Sequence, residues 1–147
     1  MAGGWIDRLD QRMIQFMSRQ GSRIIRISLA IVFIWFGALK VIGRSPVEEL
    51  VAKTLYWFPS DQAVFFLGCW EIAIGSGLLF GVALRFILLL FWLQLAGTFM
   101  VLVLRPDIAF QEGNPFLLTT EGEFVIKNLV LISAGLAVGA TVPRKSR

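Results

Sequence analysis

The residue of this sequence with the clearest chemical potential is Glu71, because it lies near the middle of an apolar segment predicted over residues 62–83. At 1.5 Å per residue, about ten residues place its carboxyl group roughly 15 Å from the start of that segment. An ionised carboxylate surrounded by hydrocarbon costs several kcal/mol, so this group must be paired, protonated or hydrated. Gly68 and Gly75 lie on the same helical face and predict the close approach of a second helix.

Polar residues in the other apolar segments complete a candidate site. Lys40 and Lys127 lie within about two helical turns of the ends of their segments. Glu123 precedes Lys127 by four residues, which is the favourable order for a helical ion pair. Gln94 and Thr98, with a glycine between them, form a polar stripe on a third segment. The candidate ligand and proton site comprises Lys40, Glu71, Gln94, Thr98, Glu123, Lys127 and Asn128.

Two interpretations of these residues stay open. In the functional one, the side chains line a polar pocket open to the outer side of a membrane, where Glu71 exchanges a proton and the lysines hydrogen-bond a ligand oxygen. In the structural one, the same side chains only join helices, with contacts worth on the order of 1 kcal/mol each. In both, Lys40, Glu71 and Lys127 are expected to converge in the interior, because an unpaired charge at that depth is too costly.

The composition limits the class of protein. A chain of 147 residues with 56% apolar residues, 16% charged residues and a mean hydropathy of +0.74 has more apolar surface than one small soluble domain can bury. A single cysteine and no histidine exclude a CxxC redox pair, a thiolate metal site and the commonest haem ligand. We therefore expect no metal site and no evident cofactor. The net charge of +4 comes from residues at the ends of apolar runs, which argues against nucleic-acid binding.

The apolar runs predict an all-α integral membrane protein with a single domain, residues 1–147, built as a bundle of four transmembrane helices. The predicted spans cover residues 24–43, 62–83, 84–104 and 120–141. We interpret the first as a retained span, because the basic segment before it is too long for a secretory leader and no A-x-A-like cleavage site follows.

Two shorter helices are predicted at the membrane surface. Residues 5–19 are amphipathic and too polar to span, so they predict an N-terminal helix that lies in the headgroup plane or caps the bundle. Residues 46–57 follow a serine and begin with a proline, and they predict a short outer interfacial helix. Ser60 and Asp61 are expected to cap the second span, and a capping box that starts at Thr120 is expected to open the fourth.

The distribution of basic residues predicts the orientation. Most of the 14 lysines and arginines lie on one side of the spans, which is expected to be cytoplasmic and to hold both termini. These residues are Arg8, Arg12, Arg19, Arg23, Arg26, Arg85, Arg144, Lys145 and Arg147. The outer side has fewer, namely Lys40, Arg44, Lys53, Arg105 and Lys127.

Three short segments carry a resemblance to a known family. They are residues 26–40 (RISLAIVFIWFGALK), Gly68-Cys69-Trp70-Glu71 followed by Gly75, and residues 122–128 (GEFVIKN). They resemble the first span, the G-x-x-E element of the second span and the opening of the fourth span in DoxX-like proteins, most closely the YkgB-type subgroup. The resemblance implies a four-helix protein of the bacterial inner membrane. Members of that family include small subunits associated with quinone-linked sulfur oxidation or with thiol and oxidative stress.

The residues and the resemblance lead to three hypotheses. The first is an accessory inner-membrane subunit, not catalytic alone, that binds a small amphipathic ligand such as a quinone and works with a separate oxidoreductase. The second is a small proton-coupled transporter or exporter. Against it, the sequence has neither a proline within a span nor an internal repeat, although a homo-oligomer would supply the symmetry that many transporters have. The third is a purely structural assembly protein.

Overall fold

Four long helices make up most of the chain in the computed structural model, which describes residues 3–54 and 59–143. The elements in chain order are α1 (Gly3–Val41), α2 (Glu48–Thr54), α3 (Ser60–Phe80), α4 (Leu84–Leu104), α5 (Pro106–Ala109), a 3-10 turn (Gln111–Gly113) and α6 (Thr120–Gly139). By length and composition, α1, α3, α4 and α6 could each cross a membrane. These four helices correspond to the four predicted spans and indicate a multi-pass membrane protein.

The N-terminal surface helix predicted over residues 5–19 is wrong as a separate element, because these residues continue without a break into the first span as α1. The range 3–41 contains no proline, and its internal Gly21 costs only about 1 kcal/mol in a helix, which is too little to interrupt it. Residues 4–19 are exposed along their whole length. Since Arg26 lies against Gly81 just after the end of α3, the residues before it project beyond that end.

Glycines bring α1 and α3 into antiparallel backbone contact. A Cβ atom added to Gly37 would lie 2.6 Å from the carbonyl oxygen of Gly68, and one added to Gly68 would lie 2.7 Å from the carbonyl oxygen of Gly37. Further along, a Cβ atom on Gly75 would lie 2.8 Å from the carbonyl oxygen of Ala30. The close approach predicted at Gly68 and Gly75 is therefore confirmed, and only residues without side chains allow it.

Only part of the polar stripe predicted on the third span contacts another described helix, since Gln94 bonds to a side chain of α3 whereas Gly97 approaches no described residue. A Cβ atom on Gly97 would meet no atom within 4 Å. Instead α4 packs through large apolar side chains, above all Phe91, whose fully buried ring lies 5.4 Å from the ring of Phe33 and against Gly135 of α6. A stripe of large apolar residues buries more surface than a polar one, so it determines which face of α4 turns inward.

Many large apolar side chains point away from the other helices. Trp35 is 64% exposed, Phe80 75% and Val103 80%. Exposed side chains of this size along helices long enough to span a bilayer are consistent with contact with lipid acyl chains.

The segment before α3 and the starts of α3 and α6 differ in detail from the sequence prediction. Of the helix predicted over residues 46–57, the structure contains α2, which packs against α3, while residues 55–57 lie outside the described residues. No side chain caps α3, since the hydroxyl of Ser60 donates to the carboxylate of Asp61 instead of accepting a backbone N–H. The cap of α6 is Thr119, one residue earlier than predicted, and its hydroxyl accepts the N–H of Gly122 at 3.0 Å.

Candidate functional site

The centre of the candidate site is an ion pair between α1 and α3. The Nζ atom of Lys40 donates to Oε2 of Glu71 at 2.6 Å, and only 6% and 11% of the two side chains are exposed. The glycine contact creates this pair, because a Cβ atom on Gly68 would lie 2.9 Å from the Cβ atom of Lys40. The lysine side chain thus starts beside Gly68 and reaches about one helical turn along α3 to the carboxylate. The predicted meeting of Lys40 with Glu71 is confirmed.

A third helix contributes to the same carboxylate. The Nε2 atom of Gln94 on α4 donates to Oε1 of Glu71 at 2.9 Å. Each carboxylate oxygen therefore has its own donor, one charged and one neutral. A second polar contact links the same two helices nearby, where the indole N–H of Trp70 donates to the carbonyl oxygen of Leu90 at 3.3 Å. We call Lys40, Glu71 and Gln94 the polar cluster.

Thr98 lies one turn beyond Gln94 but does not join the polar cluster. Its hydroxyl donates to the backbone carbonyl oxygen of Gln94 at 3.1 Å, the usual bond of a half-buried threonine within a helix. Thr98 therefore contacts the polar cluster only through the backbone of Gln94.

Lys127 does not converge with Lys40 and Glu71, and that prediction is wrong. Its Nζ atom pairs with Oε2 of Glu123 at 3.2 Å, and the two side chains are 74% and 58% exposed. Because α6 buries Val125, and a helix turns about 100° per residue, Lys127 and Glu123 point to roughly the opposite side.

Asn128, the last of the predicted site residues, also stays outside the polar cluster. Its side chain is half-buried, and its amide nitrogen donates to the carbonyl oxygen of Phe124 at 3.2 Å. The tertiary structure therefore divides the predicted site in two. Lys40, Glu71 and Gln94 meet, while Glu123, Lys127 and Asn128 bond only within α6.

The polar cluster combines one acidic group, one basic group and one amide. A carboxylate and an ammonium group that share a short hydrogen bond have no net charge together, whether the proton resides on the nitrogen or on the oxygen. Among the described residues, no buried side-chain nitrogen or oxygen lacks a hydrogen-bond partner. In the same part of the chain, no group of three or more His, Cys, Asp or Glu side chains could hold a metal ion.

The polar cluster lies near the end of α1 and part-way along α3. Lys40 is the penultimate residue of α1 and lies beside Gly68, which follows the start of α3 by eight residues. α3 therefore continues about 12 Å beyond the level at which α1 ends. Of the elements that the structure describes, the short helix α2 covers this interval of α3.

A surface ion pair lies just outside the last residue of α4. Arg105 donates to both carboxylate oxygens of Asp107, at 3.0 and 2.8 Å. This hydrogen bonding lowers the pKa of Asp107 below its ordinary value and raises the pKa of Arg105. The pair therefore favours the folded chain above the ordinary pKa of aspartate and loses that contribution as the pH falls through the lowered value.

Two cavities lie at the opposite end of the helices, and sequence reasoning did not predict them. One is lined by three arginines of α1 and the other mainly by apolar residues around the turn between α3 and α4. Sequence reasoning used these arginines for orientation alone. Their spacing of four and three residues was the available signal that they share one face of a helix.

The fold and the polar cluster together define a multi-pass α-helical membrane protein with an ion pair buried between two of its apolar helices. Comparisons with protein-family models, with curated proteins and with solved structures found no match. The DoxX-like resemblance therefore stays a prediction carried by the three segments quoted above.

Proposed function

We propose that this protein is an accessory subunit of the bacterial inner membrane that binds a small amphipathic ligand, such as a quinone, at the polar cluster. In this proposal the four long helices form a bundle with both termini in the cytoplasm, and a separate oxidoreductase supplies the electrons in a redox or a thiol and oxidative stress process. The proposal is supported by the geometry of the cluster, the distribution of basic residues and the DoxX-like resemblance.

The observation that carries the proposal is the Lys40–Glu71 ion pair, with Gln94 on the second carboxylate oxygen. A buried ion pair is a poor means of holding two helices together, because well-packed apolar residues are often as stabilising or more so. Backbone contact through glycines already joins α1 to α3 at this level. The charged groups are therefore better explained by chemistry that apolar residues cannot perform.

The cluster supplies the groups that a quinone needs. A quinone oxygen accepts hydrogen bonds, and the ammonium group of Lys40 and the amide of Gln94 are both donors. Reduction to a quinol consumes two electrons and two protons. In this proposal the separate oxidoreductase supplies both electrons, the hydrogen-bonded pair of Lys40 and Glu71 supplies one proton, and water supplies the second. The interval of α3 beyond the end of α1 offers the ligand an entry from the outer side.

A second candidate, the purely structural assembly protein, is favoured by one specific observation. Each oxygen of the carboxylate already accepts a hydrogen bond from a described side chain, as expected for a contact that only fixes the pairing of helices. In that case the cluster would bind no ligand.

The test is a titration of the purified full chain, reconstituted in nanodiscs, with a short-chain ubiquinone. Quenching of the fluorescence of its five tryptophans reports binding. The wild type should quench saturably, and Glu71→Gln should weaken binding about tenfold while helicity and elution volume stay unchanged, because the variant loses the charge-assisted hydrogen bond that holds the ammonium group of Lys40 in the site.

Glu123→Gln is the matched control, because it makes the same substitution at an exposed glutamate on α6. It should bind the quinone like the wild type. A wild type that shows only unsaturable quenching, or a Glu71→Gln variant with unchanged affinity, would instead support the structural assembly protein.

A further inference from the structure

The end of the molecule opposite the outer loops carries an arginine-lined cavity that the polar cluster does not involve. It has a volume of about 250 Å³ and is lined by Arg19, Ser22, Arg23, Arg26, Leu84 and Thr141. The three arginines are spaced by four and three residues, so they project from one face of α1 over successive turns. Leu84 begins α4 and Thr141 follows the end of α6, so the cavity lies where three helices meet.

The charges in this cavity have no ion-pair partner among the described residues. The ion pairs between described residues are Lys40–Glu71, Arg105–Asp107 and Glu123–Lys127, and none of the three arginine side chains has a partner within the described ranges 3–54 and 59–143. No aspartate or glutamate lines the cavity. Like charges one turn apart repel, so a bound anion would relieve a repulsion that is built into α1.

The arginine-lined cavity is adjacent to a mainly apolar cavity. A second cavity of about 440 Å³ shares Leu84 with the first and is lined by Gly81, Ala83, Leu84, Arg85, Phe86, Val142 and Pro143. Its lining is mainly apolar, and the guanidinium of Arg85 is engaged by the carbonyl oxygen of Pro143. An occupant that matches both cavities has an anionic head and an apolar body.

We propose that the arginine-lined cavity binds the phosphate of an anionic phospholipid, whose glycerol and acyl region occupies the neighbouring apolar cavity. Guanidinium groups match phosphate oxygens in a planar, bidentate geometry, and the Ser22 hydroxyl adds a neutral donor. Basic pockets between helices at a membrane interface are suited to acidic headgroups. The position at the start of α4 and the end of α6, beside the residues of α1 where its apolar part begins, puts the site at headgroup level. This site is independent of the ligand proposed for the polar cluster.

The experiment is native mass spectrometry of the full chain in a neutral detergent, titrated with phosphatidylglycerol or with phosphatidylcholine of the same acyl chains. One phosphatidylglycerol should bind about tenfold more tightly than phosphatidylcholine. The double variant Arg19→Gln/Arg23→Gln should lose this preference, with affinity about twentyfold lower, as expected for the removal of two arginines from an anionic headgroup.

The matched control is Arg8→Gln/Arg12→Gln, which removes the same charge from an exposed part of α1 away from the cavity. It should bind phosphatidylglycerol within about twofold of the wild type. An equal loss of affinity in both double variants would overturn the proposal, because it would show a diffuse charge effect.

One further variant and one competition experiment complete the test. The double variant Arg19→Lys/Arg23→Lys retains both charges but lacks the planar guanidinium groups with their paired N–H donors. It should fold like the wild type and bind phosphatidylglycerol with an intermediate affinity. Inorganic phosphate in millimolar excess should leave the lipid bound. If phosphate displaces the lipid completely, the cavity is a site for soluble anions and the lipid assignment is overturned.

Discussion

Two lysine–glutamate pairs in this protein have the same chemistry and opposite surroundings. Lys40 and Glu71 join α1 to α3 across 31 residues of sequence, at 2.6 Å, with 6% and 11% of their side chains exposed. Glu123 and Lys127 lie one turn apart on α6, at 3.2 Å, with 58% and 74% exposed. The buried pair has a further partner in Gln94, whereas no further side-chain partner of the exposed pair occurs among the described residues.

The difference shows that intramembrane charges cannot be assigned a role from their segment alone. Lys127 lies seven residues after the start of α6, so its long side chain remains near the end of the helix, where it can extend toward water. Lys40 is also close to a helix end, but α3 extends beyond it and its side chain turns inward between helices. Burial by a neighbouring helix, and not distance from the helix end, separates the two lysines.

The largest expected effect comes from breaking the buried pair on one side only. Lys40→Met or Glu71→Leu should each lower the free energy of unfolding by about 3–5 kcal/mol, because each leaves an uncompensated buried charge. The double variant Lys40→Met/Glu71→Leu should recover most of that loss, because neither charge remains. Unfolding of the purified protein in mixed micelles measures all three. If the two single effects simply add in the double variant, the ion pair is not an energetically coupled unit.

A smaller effect is expected from separating the helices that hold the buried pair. Gly68→Ala should destabilise the protein by about 1–3 kcal/mol, because the new methyl group collides with the backbone of α1. Gly97→Ala is the control in α4, where a Cβ atom meets open space, and alanine should be neutral or up to about 1 kcal/mol stabilising. Equal melting temperatures for the two variants would contradict the assigned α1–α3 contact.

The smallest effect is expected at the exposed pair. Glu123→Gln or Lys127→Gln should change the free energy of unfolding by at most about 0.5 kcal/mol, because a pair spaced four residues apart on a helix surface contributes little. A larger loss of unfolding free energy in the same micelle assay would show that this pair lies in an interface with another molecule.

Much of the architecture followed from sequence alone. The spans in α3, α4 and α6 were predicted to within a few residues at both ends, and the first span was predicted to within a few residues at its C-terminal end, because about 20 apolar residues in a row suffice to identify a membrane-crossing helix. The separation predicted between residues 5–19 and the first span did not occur, since the change from amphipathic to apolar pattern alters what a helix contacts without ending it. The pattern of a segment predicts its environment better than its boundaries.

The candidate site was predicted only in part. Glu71 and its flanking glycines were recognisable from depth and spacing, and the partner Lys40 was among the named residues. Lys127 and Asn128 were assigned to the same pocket, because sequence gives the depth of a residue but not the rotation of its helix. The decisive signal on α6 was Val125, which marks the inward face and lies about 200° around the helix from Lys127.

The sequence by itself determined that the chain has four helices suited to a membrane and that one carboxylate lies deep within them, because hydropathy and length are properties of each segment taken alone. Only the tertiary structure decided which lysine pairs with that carboxylate. The contact of Gly37 with Gly68 sets the register of α1 against α3, and that register places Lys40 one turn from Glu71. The same packing brings the start of α4 and the end of α6 against three arginines in the middle of α1, a juxtaposition that exists only once the helices have packed.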